Sequence, residues 1–144
     1  AMLGGVAGHA GLFSTAGDMA VLMQMLLNKG SYGGIRYLKA ETVDLFTTRH
    51  PRSTRRGIGF DMKELDKNKQ KSMSSLASAS TFGHTGFTGT AAWADPAHKI
   101  VYIFLANRTY PGKNSQTFNN REYRTKVQAL IYKAMNGYDA NYYL

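Results

Sequence analysis

The residues best suited to chemistry lie in Phe82-Gly83-His84-Thr85-Gly86-Phe87-Thr88-Gly89. An imidazole, a hydroxyl and a glycine follow one another at His84, Thr85 and Gly86. Such a run can line one wall of a pocket that handles negative charge. His84 offers a charge or a hydrogen bond, and Thr85 and Thr88 offer hydroxyls to a substrate. Gly86 lets backbone approach a ligand closely. The N–H of Phe87 can point at an oxygen on which charge develops. No nucleophile motif accompanies this wall, so the chain reads as one part of an active site.

Several elements must hold the wall in place. Ser14 or Thr15 caps a helix in which Met19, Leu22, Met23, Leu26 and Leu27 make one apolar face, with Asp18 in its first turn and Gly30 at its end. A turn over residues 32–34 leads to a short extended piece and then to a second helix over 39–47, with Leu38, Val43 and Phe46 inward. Residues 57–62 alternate as an edge strand does. Residues 63–80 are polar and serine-rich and read as a long surface loop. Strands at 89–95 and 99–107 flank the turn Asp95-Pro96-Ala97-His98. The second of these is apolar throughout, which predicts a central strand covered on both faces. A last helix over 121–136 has Tyr123, Val127, Leu130, Ile131 and Ala134 as its buried stripe. The order is helix, helix, strand, long loop, three consecutive strands, helix. It predicts an α+β fold, an antiparallel sheet covered on one face by the C-terminal helix.

Composition narrows the function. The chain has 144 residues, which fits one domain or part of one, and 43% hydrophobic content argues for a folded protein. There is no cysteine, so disulfides and thiolate metal sites are excluded. The histidines His9, His50 and His98 fall in expected loops or turns. Without a His-x-x-x-His pattern they predict no metal site. No carboxylate pair suggests glycosidase chemistry, and no cofactor is expected. No apolar run is long enough to span a bilayer. The net charge of +9 gathers at Arg49, Arg52, Arg55 and Arg56 and at Lys63, Lys67, Lys69 and Lys71. These patches read as solvated loops. They lack the interleaved aromatic residues of a nucleic-acid surface, so nucleic acid is not an expected partner.

Three stretches together resemble the C-terminal half of serine hydrolases of the penicillin-binding protein and class C β-lactamase type. Gly11-Leu12-Phe13-Ser14-Thr15-Ala16-Gly17-Asp18-Met19-Ala20 resembles the start of a family helix. His84-Thr85-Gly86 stands where the family has Lys-Thr-Gly or His-x-Gly. Leu105-Ala106-Asn107-Arg108-Thr109-Tyr110-Pro111 resembles the segment that leaves the family's last strand. The resemblance covers most of the chain as a single partial domain, residues 1–144. The family's nucleophile lies on Ser-x-x-Lys and its partner on Tyr-x-Asn or Ser-x-Asn, both upstream of the matching region. Neither pattern occurs here.

The resemblance implies roles residue by residue. His84 replaces the family's lysine beside the serine and the substrate carboxylate, cationic only in part near neutral pH. Thr85 meets that carboxylate, Gly86 lets substrate lie against the strand, and Phe87 N–H is one of two oxyanion donors. The substrate would be a small acyl compound or a cell-wall peptide. The location would be the periplasm or envelope of a bacterium. Thr109 and Gly112 stand where class C β-lactamases carry asparagine, so an esterase or a peptidase for D-amino-acid peptides fits at least as well. Residues 124–135 resemble copies of the domain fused behind family 3 glycoside hydrolases that act on N-acetylglucosamine sugars. The expected partner is the missing N-terminal part of the same polypeptide, and the chain alone is expected to be inactive. Apolar surface meant for that part predicts self-association. The alternative reading is a non-catalytic module of the same fold that binds envelope glycan or peptide.

Overall fold

Thr15 opens the first helix as the sequence predicts. Its Oγ1 accepts the Asp18 N–H at 3.1 Å and donates to Asp18 Oδ2 at 2.9 Å, a compact N-terminal cap. A computed structural model describes residues 4, 5, 7, 8, 11–69, 71–110, 112 and 121–135. The elements are α1 (Ala16–Leu27), β1 (Ser31–Tyr32), β2 (Ile35–Arg36), α2 (Ala40–Thr47), β3 (Asp61–Met62), β4 (Phe82–Thr85), β5 (Ala91–Asp95), β6 (Ile100–Phe104) and α3 (Tyr123–Met135). His9 and Pro111 lie outside the described residues.

β1 and β2 form a small hairpin whose two turn residues, Gly33 and Gly34, take φ of +58° and +79°. Glycine suits that mirror-image turn because both central residues need positive φ. The main sheet runs β3-β4-β5-β6, antiparallel throughout. Strand alternation splits its side chains between two layers. On one face Met62, Phe82, Ala94, Val101 and Ile103 pack against Met23, Leu26 and Leu27 of α1. On the other, Ala91, Trp93 and Tyr102 pack against Tyr132 of α3 and Met73 and Ala77 of the connection before β4. Trp93 is 1% exposed, and truncating a buried aromatic of this size costs about 3–5 kcal/mol.

Several expectations need correction. Val43 of α2 is buried, whereas Leu38 and Phe46 are exposed. Residues 63–80 form no helix or strand among those described, yet they are more than a surface loop: Glu64, Met73, Ser74 and Ala77 are buried in it. They close the second face of the sheet, which has too few helices to cover it. The run at 99–107 has both faces packed, as predicted, but β6 is shorter and stands at the edge of the sheet rather than its centre. The stripe expected of the last helix is inverted. Tyr123, Val127, Leu130, Ile131 and Ala134 are exposed, and Gln128 and Tyr132 are buried instead.

Polar bonding turns the helix that way. Gln128 Oε1 accepts the Ser74 N–H at 2.8 Å, and the Tyr132 hydroxyl donates to Asp95 Oδ2 at 2.6 Å. Asp95 is 1% exposed and also accepts from the N–H of Ser78, Ala97 and His98 and from His98 Nδ1. Leaving such a carboxylate without donors would cost more than exposing a few aliphatic side chains. Burial alone would push its pKa up. The bonds from Tyr132, Ser78 and His98 outweigh burial and hold it well below the usual carboxylate range. The same contact, with burial first, pushes the Tyr132 phenol up.

Candidate active site

β4 carries the predicted wall, and Gly83 fixes its seat. A Cβ at Gly83 would stand 1.9 Å from the Ala92 carbonyl oxygen and 2.8 Å from Trp93 Cε3. Only glycine lets β4 approach β5 there. The resulting register pairs His84 with Ala92 and Thr85 with Ala91. Alternation then sends His84 to the face of α1 and Thr85 to the face of Trp93. His84 is exposed and Thr85 half-buried, at an open end of the sheet.

The chain turns immediately after the strand. Gly86 N–H donates to Thr90 O at 2.9 Å, and Gly89 N–H returns to Gly86 O at 3.1 Å. Phe87 and Thr88 thus occupy the tip of a tight turn, both exposed. A Cβ at Gly86 would lie 2.1 Å from Thr90 Oγ1, so this position has no room for a side chain unless Thr90 moves. Among the described residues no backbone acceptor takes the Phe87 N–H. Arg108 braces the turn from the segment after β6. Its N–H donates to Thr88 O at 2.8 Å, its Nε donates to Phe87 O at 2.6 Å, and its guanidinium carbon lies 4.5 Å from the Phe87 ring centroid.

A second arginine reaches His84 from the far edge of the sheet. Gly57 N–H donates to Phe60 O at 3.0 Å, and Gly59 takes φ of +77°, which folds residues 57–60 into a turn. The turn brings Arg56 opposite Asp61 as an isolated antiparallel bridge. Asp61 is 2% exposed and forms ion pairs with both Arg55, at 3.1 Å, and Arg56. Arg56 Nη1 also lies 3.3 Å from His84 Nε2, while His84 Nδ1 lies 2.7 Å from Thr85 O. The arginine cluster is therefore not simply solvated. Arg49 Nη2 donates to Lys63 O at 2.9 Å and Ala79 O at 3.0 Å, which ties both ends of the long connection together.

Contiguity keeps His84, Thr85, Gly86, Phe87 and Thr88 at one corner of the sheet, where His84, Phe87 and Thr88 are exposed, Thr85 and Gly86 are half-buried, and the His84 and Thr85 side chains leave opposite faces. Arg56 and Arg108 are the neighbours that reading the sequence missed. Arg56 left a usable signal: two glycines between Arg56 and Asp61 mark a tight turn that sets residues five apart face to face. The corner offers hydrogen-bond donors and positive charge, suited to binding an anion or polarising a carbonyl. It contains no serine. Among the described residues no three His, Asp or Glu side chains converge as a metal site would require, and no helix is long and apolar enough to cross a membrane. An open groove of about 320 Å³ lies elsewhere, between Met73–Ser75 and α3, and none of residues 82–89 lines it.

Comparison with known proteins bears on the family and the fold. The Beta-lactamase family model matches residues 1–124. A protein of Escherichia coli (strain K12), described provisionally as a D-alanyl-D-alanine carboxypeptidase, is 41% identical over 123 residues, 82% of this chain and 28% of its own length. One of the same description from Salmonella paratyphi B is 43% identical over 108 residues, 75% of this chain and 25% of its own length. The chain therefore spans about a quarter of the length of these curated relatives. In structure it is similar to a protein of Bacillus anthracis described provisionally as a 6-aminohexanoate-dimer hydrolase, with a TM-score of 0.54 and 20% identity over 86% of this chain and 30% of that one. That likeness bears on the α+β fold. With the family model spanning most of its length, and a glycine-seated His-Thr-Gly strand in an antiparallel sheet, this chain belongs to the Beta-lactamase family.

Proposed function

We propose that the chain supplies the substrate-facing wall of a serine acyl hydrolase, the remainder of which comes from the same polypeptide. The observation that carries this reading is the turn after β4. It presents a Phe87 N–H with no backbone acceptor among the described residues, at an exposed turn two residues after Thr85 and three after His84. In the proposed reaction a serine on Ser-x-x-Lys gives up its proton to the lysine and attacks the substrate carbonyl. The oxygen that becomes negative is held between the Phe87 N–H and the serine's own N–H. Collapse expels the protonated leaving group and leaves an acyl-serine, which water then cleaves to free acid and serine. Thr85 and Thr88 hold the substrate carboxylate through this sequence.

The names of the E. coli and Salmonella relatives favour a peptide ending in D-amino acids over a β-lactam. Thr109 and Gly112, in place of asparagine, point the same way. Such a substrate would be met in the bacterial envelope, on the periplasmic side, and the relatives' names support that location. The exposed stripe of α3 supports a covering partner, here the rest of the polypeptide.

Two measurements test the reading. The purified chain should leave a chromogenic ester, nitrocefin and a D-alanyl-D-alanine-terminated peptide uncleaved, and turnover by pure material would refute its dependence on an absent nucleophile. In a polypeptide joining this chain to Ser-x-x-Lys and Tyr-x-Asn segments, Phe87→Pro should lower kcat by about 10²–10³. Proline is well suited to the second position of such a turn and removes the N–H, and Phe87→Ala, which keeps the N–H but loses the ring against Arg108, is the control. An unchanged kcat would remove Phe87 from the oxyanion site.

A further inference from the structure

We infer that Arg56, and not His84, carries the positive charge of this wall, and that Arg56 holds His84 as a neutral imidazole protonated on Nδ1. The inference concerns the charge of the same corner and stands whether or not acyl transfer is its chemistry. It follows from donor counting. A guanidinium has only N–H donors and does not lose its charge in proteins. At 3.3 Å from Arg56 Nη1, His84 Nε2 must therefore be the acceptor and carry no proton. The remaining ring proton is then on Nδ1, and a carbonyl oxygen waits for it there, Thr85 O at 2.7 Å. Both contacts are satisfied by one tautomer and by no other protonation state. An imidazolium would point an N–H at a guanidinium.

Asp61 is what keeps Arg56 in place. Its carboxylate is buried, at 2% exposure, and lies opposite Gly83 in the β3–β4 ladder. It binds the guanidiniums of both Arg55 and Arg56, whose side chains are 35% and 49% exposed. Two cations on one carboxylate leave a positive charge in excess at the rim. That charge rests on arginine and so stays constant where a histidine would titrate. Arg56 thus acts as a positioning residue for His84 and as the fixed cation that a substrate anion would meet, with Asp61 as its anchor.

The test reads the ring directly. In protein labelled with ¹⁵N-histidine, a two-bond ¹⁵N–¹H spectrum at neutral pH distinguishes the Nδ1–H tautomer, the Nε2–H tautomer and the cation, and His84→Gln identifies the signal. The wild-type chain should show His84 with a protonated Nδ1 and a bare Nε2. Arg56→Lys retains a donor and should keep that pattern. Arg56→Met removes the donor, and the pattern should be lost as Nε2 takes up a proton. A wild-type ring protonated on Nε2 or on both nitrogens would overturn the inference, and so would a pattern unchanged in Arg56→Met. If Arg56→Met fails to fold, the wild-type spectrum alone still decides.

Discussion

Two polar clusters, one at the β5–β6 end of the sheet and one at the β3–β4 end, each combine a buried aspartate with a histidine. At one end, Asp95 and His98 meet directly, Nδ1 to Oδ2 at 2.9 Å, and Tyr132 and Ser78 complete the carboxylate's shell. At the other, Asp61 and His84 are each bound by the same arginine. Arg56 stands between them. Both carboxylates are buried, at 1% and 2% exposure. The first has donors from four residues, and its charge is spent inside the fold. The second faces more positive charge than it can neutralise, and the surplus points to solvent. Burial of an aspartate therefore does not tell the two clusters apart. What distinguishes them is whether the cations at the carboxylate outnumber it, as Arg55 and Arg56 do at Asp61.

The largest expected effect lies at the balanced end. Asp95→Ala should destabilise the fold by about 3–5 kcal/mol in chemical denaturation, because it strands the Tyr132 hydroxyl and the Ser78 N–H without their acceptor. The pH dependence has a definite sign. A carboxylate whose folded pKa is depressed stabilises the protein above its unfolded pKa, about 3.9, and that stability is lost as pH falls toward the folded value. Wild type should therefore lose stability below about pH 4, and Asp95→Asn should flatten that limb. An acid limb as steep in Asp95→Asn as in wild type would place the linkage elsewhere. Tyr132→Phe removes one bond to the same charge and should cost about 1.5–3 kcal/mol. It should also release α3 first, so amide exchange in α3 should rise more than in β5.

That helix shows where the sequence was legible and where it was not. Its existence and near-correct limits followed from periodicity, as did α1, α2 and the β5–β6 turn. Its orientation did not. Periodicity reports which face is most apolar, whereas the structure turns the helix by its hydrogen bonds to Asp95 and Ser74, partners 37 and 54 residues away. β6 misled in a related way. An apolar run says that both faces are covered, which is true here, but says nothing about neighbours along the hydrogen-bonding direction. The wall residues were legible because they are contiguous, and their glycine positions have steric causes visible in the type alone. Arg56 and Arg108 were hidden because long side chains reach across strands, and only the fold says how far apart those strands lie.

The unbalanced end should tolerate more. Asp61→Asn should cost about 1–2 kcal/mol, less than Asp95→Ala, because Arg55 and Arg56 are partly exposed and can turn to water. If its cost matches that of Asp95→Ala, the contrast between the clusters fails and Asp61 is simply a second structural anchor.

The smallest effect is the most informative. His84→Ala should change stability by less than about 0.5 kcal/mol, since the ring is exposed and its two contacts are to a guanidinium and to the adjacent carbonyl. Arg56 retains Asp61 and the carbonyl can be hydrated, so no buried group loses its partner. Such a small cost would fit the role proposed for His84 at a substrate better than a role in holding the fold. A loss of 2 kcal/mol or more in His84→Ala, measured in urea, would show that the imidazole holds β3 to β4. The two ends of the sheet would then be alike in kind, differing only in strength.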